Sequence, residues 1–189
     1  MPQVIFGIAL LIFGGPPISL DWKGTDYKEF IFTFDSSAEP CRQRNIVDGF
    51  KVKYRFRVQA CRFRNSISSQ CGDVIHEIHD VRFDPVTEQF KVTTDRLGDE
   101  YEPRSVSFST KDEAFQDASK VDAVAFEALR AKSPQLSLAP GENSVVRTRV
   151  VTECQGGFRE FVAWIPYLFS LGLIDRQNYD SGWYNFYLR

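Results

Sequence analysis

The stretch Phe50-Lys-Val-Lys-Tyr-Arg-Phe-Arg-Val-Gln-Ala-Cys-Arg-Phe-Arg64 decides the fold class. Val52, Tyr54, Phe56 and Val58 alternate strictly with Lys51, Lys53, Arg55 and Arg57. Successive side chains of a strand point to opposite faces, so this is a β-strand with one apolar face and one basic face. The expectation is that the apolar four are buried and that this is the longest strand of the chain.

Other strands lie on both sides of it. Phe30-Ile-Phe-Thr-Phe34 is aromatic and β-branched and stops at Asp35-Ser-Ser37, a turn signal. Val74 to Phe83 and Gln89 to Thr94 flank Asp84-Pro-Val-Thr87, where proline sets φ at the second turn position. Arg104 to Phe108 and Val145 to Cys154 are further strands, the latter carrying Arg147 and Arg149 on one face. The bulky alternating terminus Gly182-Trp-Tyr-Asn-Phe-Tyr-Leu188 should dock into a sheet. Thr110-Lys-Asp-Glu113 is a capping box that starts a helix buried through Ala114, Phe115 and Ala118. Two readings of Val121 to Ala131 stay open, helix from its alanines or strand from its alternation, and Cys41 to Val47 has the makings of one or two helical turns. The expected fold is mainly β, an antiparallel two-sheet sandwich or open barrel with one short α-helix.

Seventeen Phe against one Met, in a chain of 189 residues that is 43% apolar, support a packed β-rich core. The formal charge of −2 excludes a global field of the nucleic-acid-binding kind. Residues 1–20 read as a signal-like or membrane-anchor segment and 21–189 as a single β-rich domain. The apolar run Val4 to Phe13 has the length of a secretory h-region and is followed by Gly14-Gly-Pro-Pro17. Its competing reading is a buried first strand. A second apolar segment, Phe158 to Ile174, is broken by Pro166 and reads as core in preference to a surface helix lying on a bilayer or partner.

Cys41, Cys61, Cys71 and Cys154 lack metal-type spacing, and an even count behind a signal-like start points to disulfides in an oxidising compartment. Three connectivities are open, and four buried thiols are the alternative. If the strands around Cys61 and Cys71 form a hairpin, those two oppose each other and Cys41 is left for Cys154. Opposed Cβ atoms are about 4.5–5.5 Å apart and a disulfide needs roughly 3.5–4.5 Å, so only a closely spaced pair fits.

The order of these features resembles a known family. The Arg-rich strand Lys53 to Arg64, the hairpin Phe83-Asp-Pro-Val-Thr-Glu-Gln-Phe-Lys-Val92, the helix at Lys111-Asp-Glu-Ala-Phe115, the strand Val145-Val-Arg-Thr-Arg-Val150 and the ending Asp180-Ser-Gly-Trp-Tyr-Asn-Phe186 look like the bacterial exported proteins grouped as domain-of-unknown-function family 4390. The resemblance spans roughly residues 25 to 189 and departs from the pattern at Asn65 to Gln70. It implies an envelope protein, periplasmic or anchored facing the periplasm, with no assigned activity and with genes near a nitrogen-regulation-type sensor kinase.

Two constellations could carry chemistry. His76-Glu-Ile-His79 suggests metal or hydrolytic chemistry, but in a strand the two histidines face opposite ways, so no metal site is expected. No Gly-rich phosphate loop or Gly-x-Ser-x-Gly elbow is present, and no cofactor is implied. The second constellation is basic. Eight Lys or Arg and one acid lie between Arg42 and Arg64, and Lys51, Lys53, Arg55, Arg57, Arg62 and Arg64 form a candidate face for an anion or a partner. The bland alternative is a solvated face neutralised by a neighbouring strand, with Glu77 and Asp80 as the acids. The expected function is a non-enzymatic binding or scaffold domain of the cell envelope, working with a membrane protein or sensor kinase. Anionic lipid is a second candidate ligand and nucleic acid a poor one. The alternative is an unrecognised hydrolytic or metal-dependent enzyme using His76, Glu77 and His79.

Overall fold

The computed structural model describes residues 18–23, 29–36, 41, 51–63, 69–97, 102–132, 134, 144–155 and 179–187. The apolar segments 1–17 and 158–174 and Arg64 lie outside the described residues, and so do the helical turns expected at Cys41 to Val47 except for Cys41 itself, which is helical.

The alternating stretch forms β3 (Lys51–Phe63), a strand of 13 residues and the longest described. Val52, Tyr54, Phe56 and Val58 are buried, at 0–2% exposure, as their spacing requires. Both edges of β3 are paired. On one side lies β9 (Ser144–Gln155), antiparallel from Lys51↔Gln155 to Arg62↔Ser144. On the other lies β5 (Ile75–Asp84), which turns through 85–88 into β6 (Gln89–Leu97) and continues to β7 (Arg104–Phe108). Asp84 closes the β5–β6 turn, its Oδ1 accepting from the Val86 amide at 2.9 Å. A short strand, β4 (Ser69–Cys71), pairs with the end of β3 beyond β5. The ending of the chain docks as expected, with β10 (Tyr179–Asp180) and β11 (Tyr184–Tyr187) both lying against β9.

The second sheet has three strands, β1 (Ile18–Lys23), β2 (Glu29–Phe34) and β8 (Lys120–Ala125), with β2 in the centre. β1 begins inside the stretch read as a signal-like segment, so Ile18 to Leu20 belong to the folded sheet. Phe30, Phe32 and Phe34 of β2 are buried, at 0–1% exposure. Phe34 meets Tyr54 at a ring separation of 6.3 Å, and Phe32 meets Phe186 at 6.1 Å. Each such side chain contributes about 1.5–3 kcal/mol by leaving water. The result is two antiparallel sheets, not a closed barrel.

Helix α1 (Lys111–Ala118) starts where the capping box places it. The Glu113 amide donates to Thr110 Oγ1 at 3.3 Å, and Thr110 Oγ1 donates to Glu113 Oε2 at 2.8 Å. Ala114, Phe115 and Ala118 are buried, and the Phe115 ring stands edge-on to Tyr54. The two open readings of 121–131 are both realised in succession: β8 is followed by α2 (Phe126–Ala131). There are thus two short helices among the described residues where one was expected. Pairing with β2 draws the first half into a strand, a tertiary contact overriding the alanine preference.

Candidate functional site

The site is built on the solvent-side face of β3 and its two neighbours. Period two places Lys51, Lys53, Arg55 and Arg57 there, all half-buried. The registers add Asp80 opposite Lys53 on β5, and Glu153, Arg149 and Arg147 opposite Lys53, Arg57 and Gln59 on β9. One end of this face is largely neutralised, with two carboxylates against three cations. Asp80 lies 2.9 Å from Lys51 Nζ and 4.0 Å from Lys53 Nζ. Arg55 pairs with Glu153, its Nη2 donating to Oε2 at 3.2 Å, while its Nε lies 3.0 Å from Oε1 without hydrogen-bond geometry.

The other end is not neutralised. Arg57 and Arg149 are directly opposed across β3 and β9, an unfavourable like-charge pair. Asp180 of β10 sits beside them, but both its oxygens are taken by Arg149, and its Oδ1 also accepts the Gly182 amide at 3.0 Å. The Arg149 hydrogen bonds hold the Asp180 carboxyl below its usual range, outweighing burial, and the Gly182 amide and the charges of Arg149 and Arg57 act in the same direction. The Arg57 and Arg147 side chains have no carboxylate partner among the described residues, and the Nε of each is buried without a hydrogen-bond partner. Arg147 is held in place by Trp183, its guanidinium 5.1 Å from the ring centroid, and by a long contact of 3.8 Å from Nη1 to Cys71 Sγ. His76, opposite Arg57 on β5, has its pKa lowered by burial and then by the Arg57 charge.

Two of the expected basic residues do not join this face. Arg62 has the parity of buried Ala60 and pairs with Gln70 and Ser144, so it leaves on the opposite side. Arg64 lies outside the described residues. Glu77, expected as a neutralising acid for the face, is also on the other side, since it shares the parity of Ile75 and His79 and is 3% exposed.

On that inner side Glu77 forms a separate polar cluster. His79 Nε2 lies 2.7 Å from Glu77 Oε1, and His79 Nδ1 lies 2.8 Å from the Ala118 carbonyl at the end of α1. Each ring nitrogen faces an acceptor, so the arrangement is satisfied when both carry hydrogen. Glu77 Oε2 accepts from Arg96 Nε at 2.8 Å and Nη2 at 2.6 Å. Burial pushes the Glu77 carboxyl up, but the His79 hydrogen bond and the charges of His79 and Arg96 together hold it below the usual range. The adjoining pocket, bordered by Arg104, Asp117 and Lys120, has a volume of about 10 Å³, the scale of a single water. The cluster fastens α1 to the large sheet. Glu77 and His79 are thus brought together on the inner face and His76 is left on the outer one, and among the described residues no group of three His, Cys, Asp or Glu could hold a metal ion.

Cys61 and Cys71 face each other across β3 and β4, Cα atoms 4.0 Å apart, and are bonded. The partner strand of Cys61 is the short β4 and not β5. Cys41 is bonded to Cys154, with Cα atoms 5.6 Å apart. Two disulfides fit an oxidising compartment. No helix among the described residues is long and apolar enough to cross a membrane. No family model matches the chain, and no curated protein or solved structure does either.

Proposed function

We propose that the chain is a non-enzymatic binding domain of the bacterial cell envelope, exported to the periplasmic side, which holds a negatively charged partner on the outer face of its large sheet. A membrane protein, a sensor kinase among the candidates, is the partner favoured by the resemblance to family 4390. The observation that carries the reading is the asymmetry of the face. At its Lys51–Arg55 end three cations meet the two carboxylates of Asp80 and Glu153, while at the other end Asp180, engaged by Arg149, is the one carboxylate among the described residues beside Arg57, Arg147 and Arg149. Such an end has cationic donors left for an outside group. The competing reading, hydrolytic or metal-dependent chemistry at 76–79, draws no support from the geometry, because His76 is on the wrong face and both nitrogens of His79 are engaged.

Pull-down from native membranes tests the reading. The wild type should capture a discrete envelope protein, and the charge-reversed Arg57→Glu/Arg147→Glu protein should not. Equal capture by both would contradict it.

A further inference from the structure

We propose that Arg57 and Arg147 form a site for a phosphoryl group, a tetrahedral oxyanion supplied by free phosphate or by a phosphate-bearing headgroup. The inference rests on reading the outer face as the recognition surface, and it names the chemistry which that face recognises.

Placement comes first. Arg147 is opposite Gln59 in the β3–β9 register, two residues along from Arg57, so the two arginines are diagonal neighbours. Backbones in that relation are roughly 7–8 Å apart, within reach of two long side chains. Both side chains are half-buried and their Nε atoms are closed to solvent, as is that of Arg55, so only the terminal Nη atoms are left to meet an outside group. Trp183 and the Cys71 sulfur, the latter through one Nη, restrain Arg147, so less side-chain freedom is left to lose on binding.

The geometry of the forks then selects the ligand. A guanidinium presents two parallel N–H bonds that fit two oxygens. On this same face one carboxylate fills one fork, since Arg149 occupies both oxygens of Asp180. The two arginines stand on adjacent strands of one face, and a group shared between them needs at least three acceptor oxygens, two for one guanidinium and one for the other. A carboxylate has two. A phosphoryl group has three or four and carries enough charge to offset two cations. His76, on the far side of Arg57, supplies an imidazole beside the same position.

Calorimetric titration of the full chain with inorganic phosphate, and with acetate at matched ionic strength, tests this. Phosphate should bind at least tenfold more tightly than acetate. Arg57→Gln/Arg147→Gln should abolish the preference, whereas Lys51→Gln/Lys53→Gln, which removes the same charge from the neutralised end, should change phosphate affinity less than twofold. Arg57→Lys/Arg147→Lys keeps the charge without the forks and should weaken binding several-fold. A second arm uses phosphatidylcholine vesicles with and without phosphatidic acid. Binding only to the phosphatidic acid vesicles, with free phosphate competing, assigns a headgroup; binding of phosphate alone assigns the free ion. Either supports the site. Equal affinity for phosphate and acetate in the wild type overturns it, and so do equal losses in the two Gln variants. If the Arg57→Gln/Arg147→Gln protein does not fold, the wild-type phosphate-to-acetate ratio decides alone. Membrane-protein capture that persists without phosphate binding sinks this inference only, and phosphate binding without capture sinks the envelope-partner reading only.

Discussion

Removing the Cys41–Cys154 bridge should destabilise the protein more than removing Cys61–Cys71. The bridges close loops with sequence separations of 113 and 10 residues. The chain-entropy relation assigns about 4.8 kcal/mol to the first and about 2.7 kcal/mol to the second at 25 °C. The short loop is nested in the long one, so an intact Cys61–Cys71 bridge shortens the effective long loop to about nine-tenths. That changes its logarithm by less than ~0.1 kcal/mol. For a chain of this size, 1 kcal/mol corresponds to about 2–4 °C in Tm, so the expected losses are about 10–19 °C and about 5–11 °C. Urea unfolding of Cys41→Ala/Cys154→Ala and Cys61→Ala/Cys71→Ala, followed by circular dichroism, measures both. An equal or larger loss from the short bridge, or a loss under ~1 kcal/mol from the long one, would refute the reasoning. Non-reducing peptide maps that join Cys61 to Cys154 would do so more simply.

Glu77→Gln leaves His79 and Arg96 facing a neutral group, and breaking a buried pair in this way costs about 3–5 kcal/mol at neutral pH. Because the folded-state carboxyl is held below its ordinary value of about 4.3, its stabilisation is complete above that pH and is lost as pH falls through the lower folded value. The unfolding midpoints of wild type and Glu77→Gln should therefore converge in acid; a gap that stays constant down to pH ~2 would contradict the assignment. Thr110→Ala removes the hydroxyl that caps α1 and should cost about 1 kcal/mol, and an unchanged midpoint would show the cap to be idle. Dialysis against a chelator should leave Tm unchanged, and a chelator-dependent unfolding step would reveal a structural metal.

The long strand was legible because its two sets of side chains differ so sharply, and the Thr110 cap because Glu113 stands at the reciprocal position. β1 was not, because Ile18-Ser-Leu-Asp-Trp-Lys23 follows two glycines and two prolines and straddles the expected end of the signal-like segment at residue 20; only its ladder with β2 makes it a strand. Within the site, the placement of Glu77 was available from the sequence. Residues 77 and 80 differ by three, so they cannot neutralise the same face of a strand, by the argument that separates His76 from His79. The junction of Arg57 with Arg147 and Arg149 was not available. It depends on β9 lying beside β3 in one register, a pairing across about ninety residues of chain that local pattern does not encode.

The most direct test of the central claim is photocrosslinking in native membranes. A photoreactive residue is placed at Asn185, exposed on β11 and opposite Arg147, or at Val86, 89% exposed on the distant β5–β6 turn. The Asn185 probe should give one discrete adduct with an envelope component, lost when Arg57→Glu/Arg147→Glu is added, and the Val86 probe should give none. Adducts from Val86 alone, or an Asn185 adduct indifferent to charge reversal, would contradict binding through the outer face.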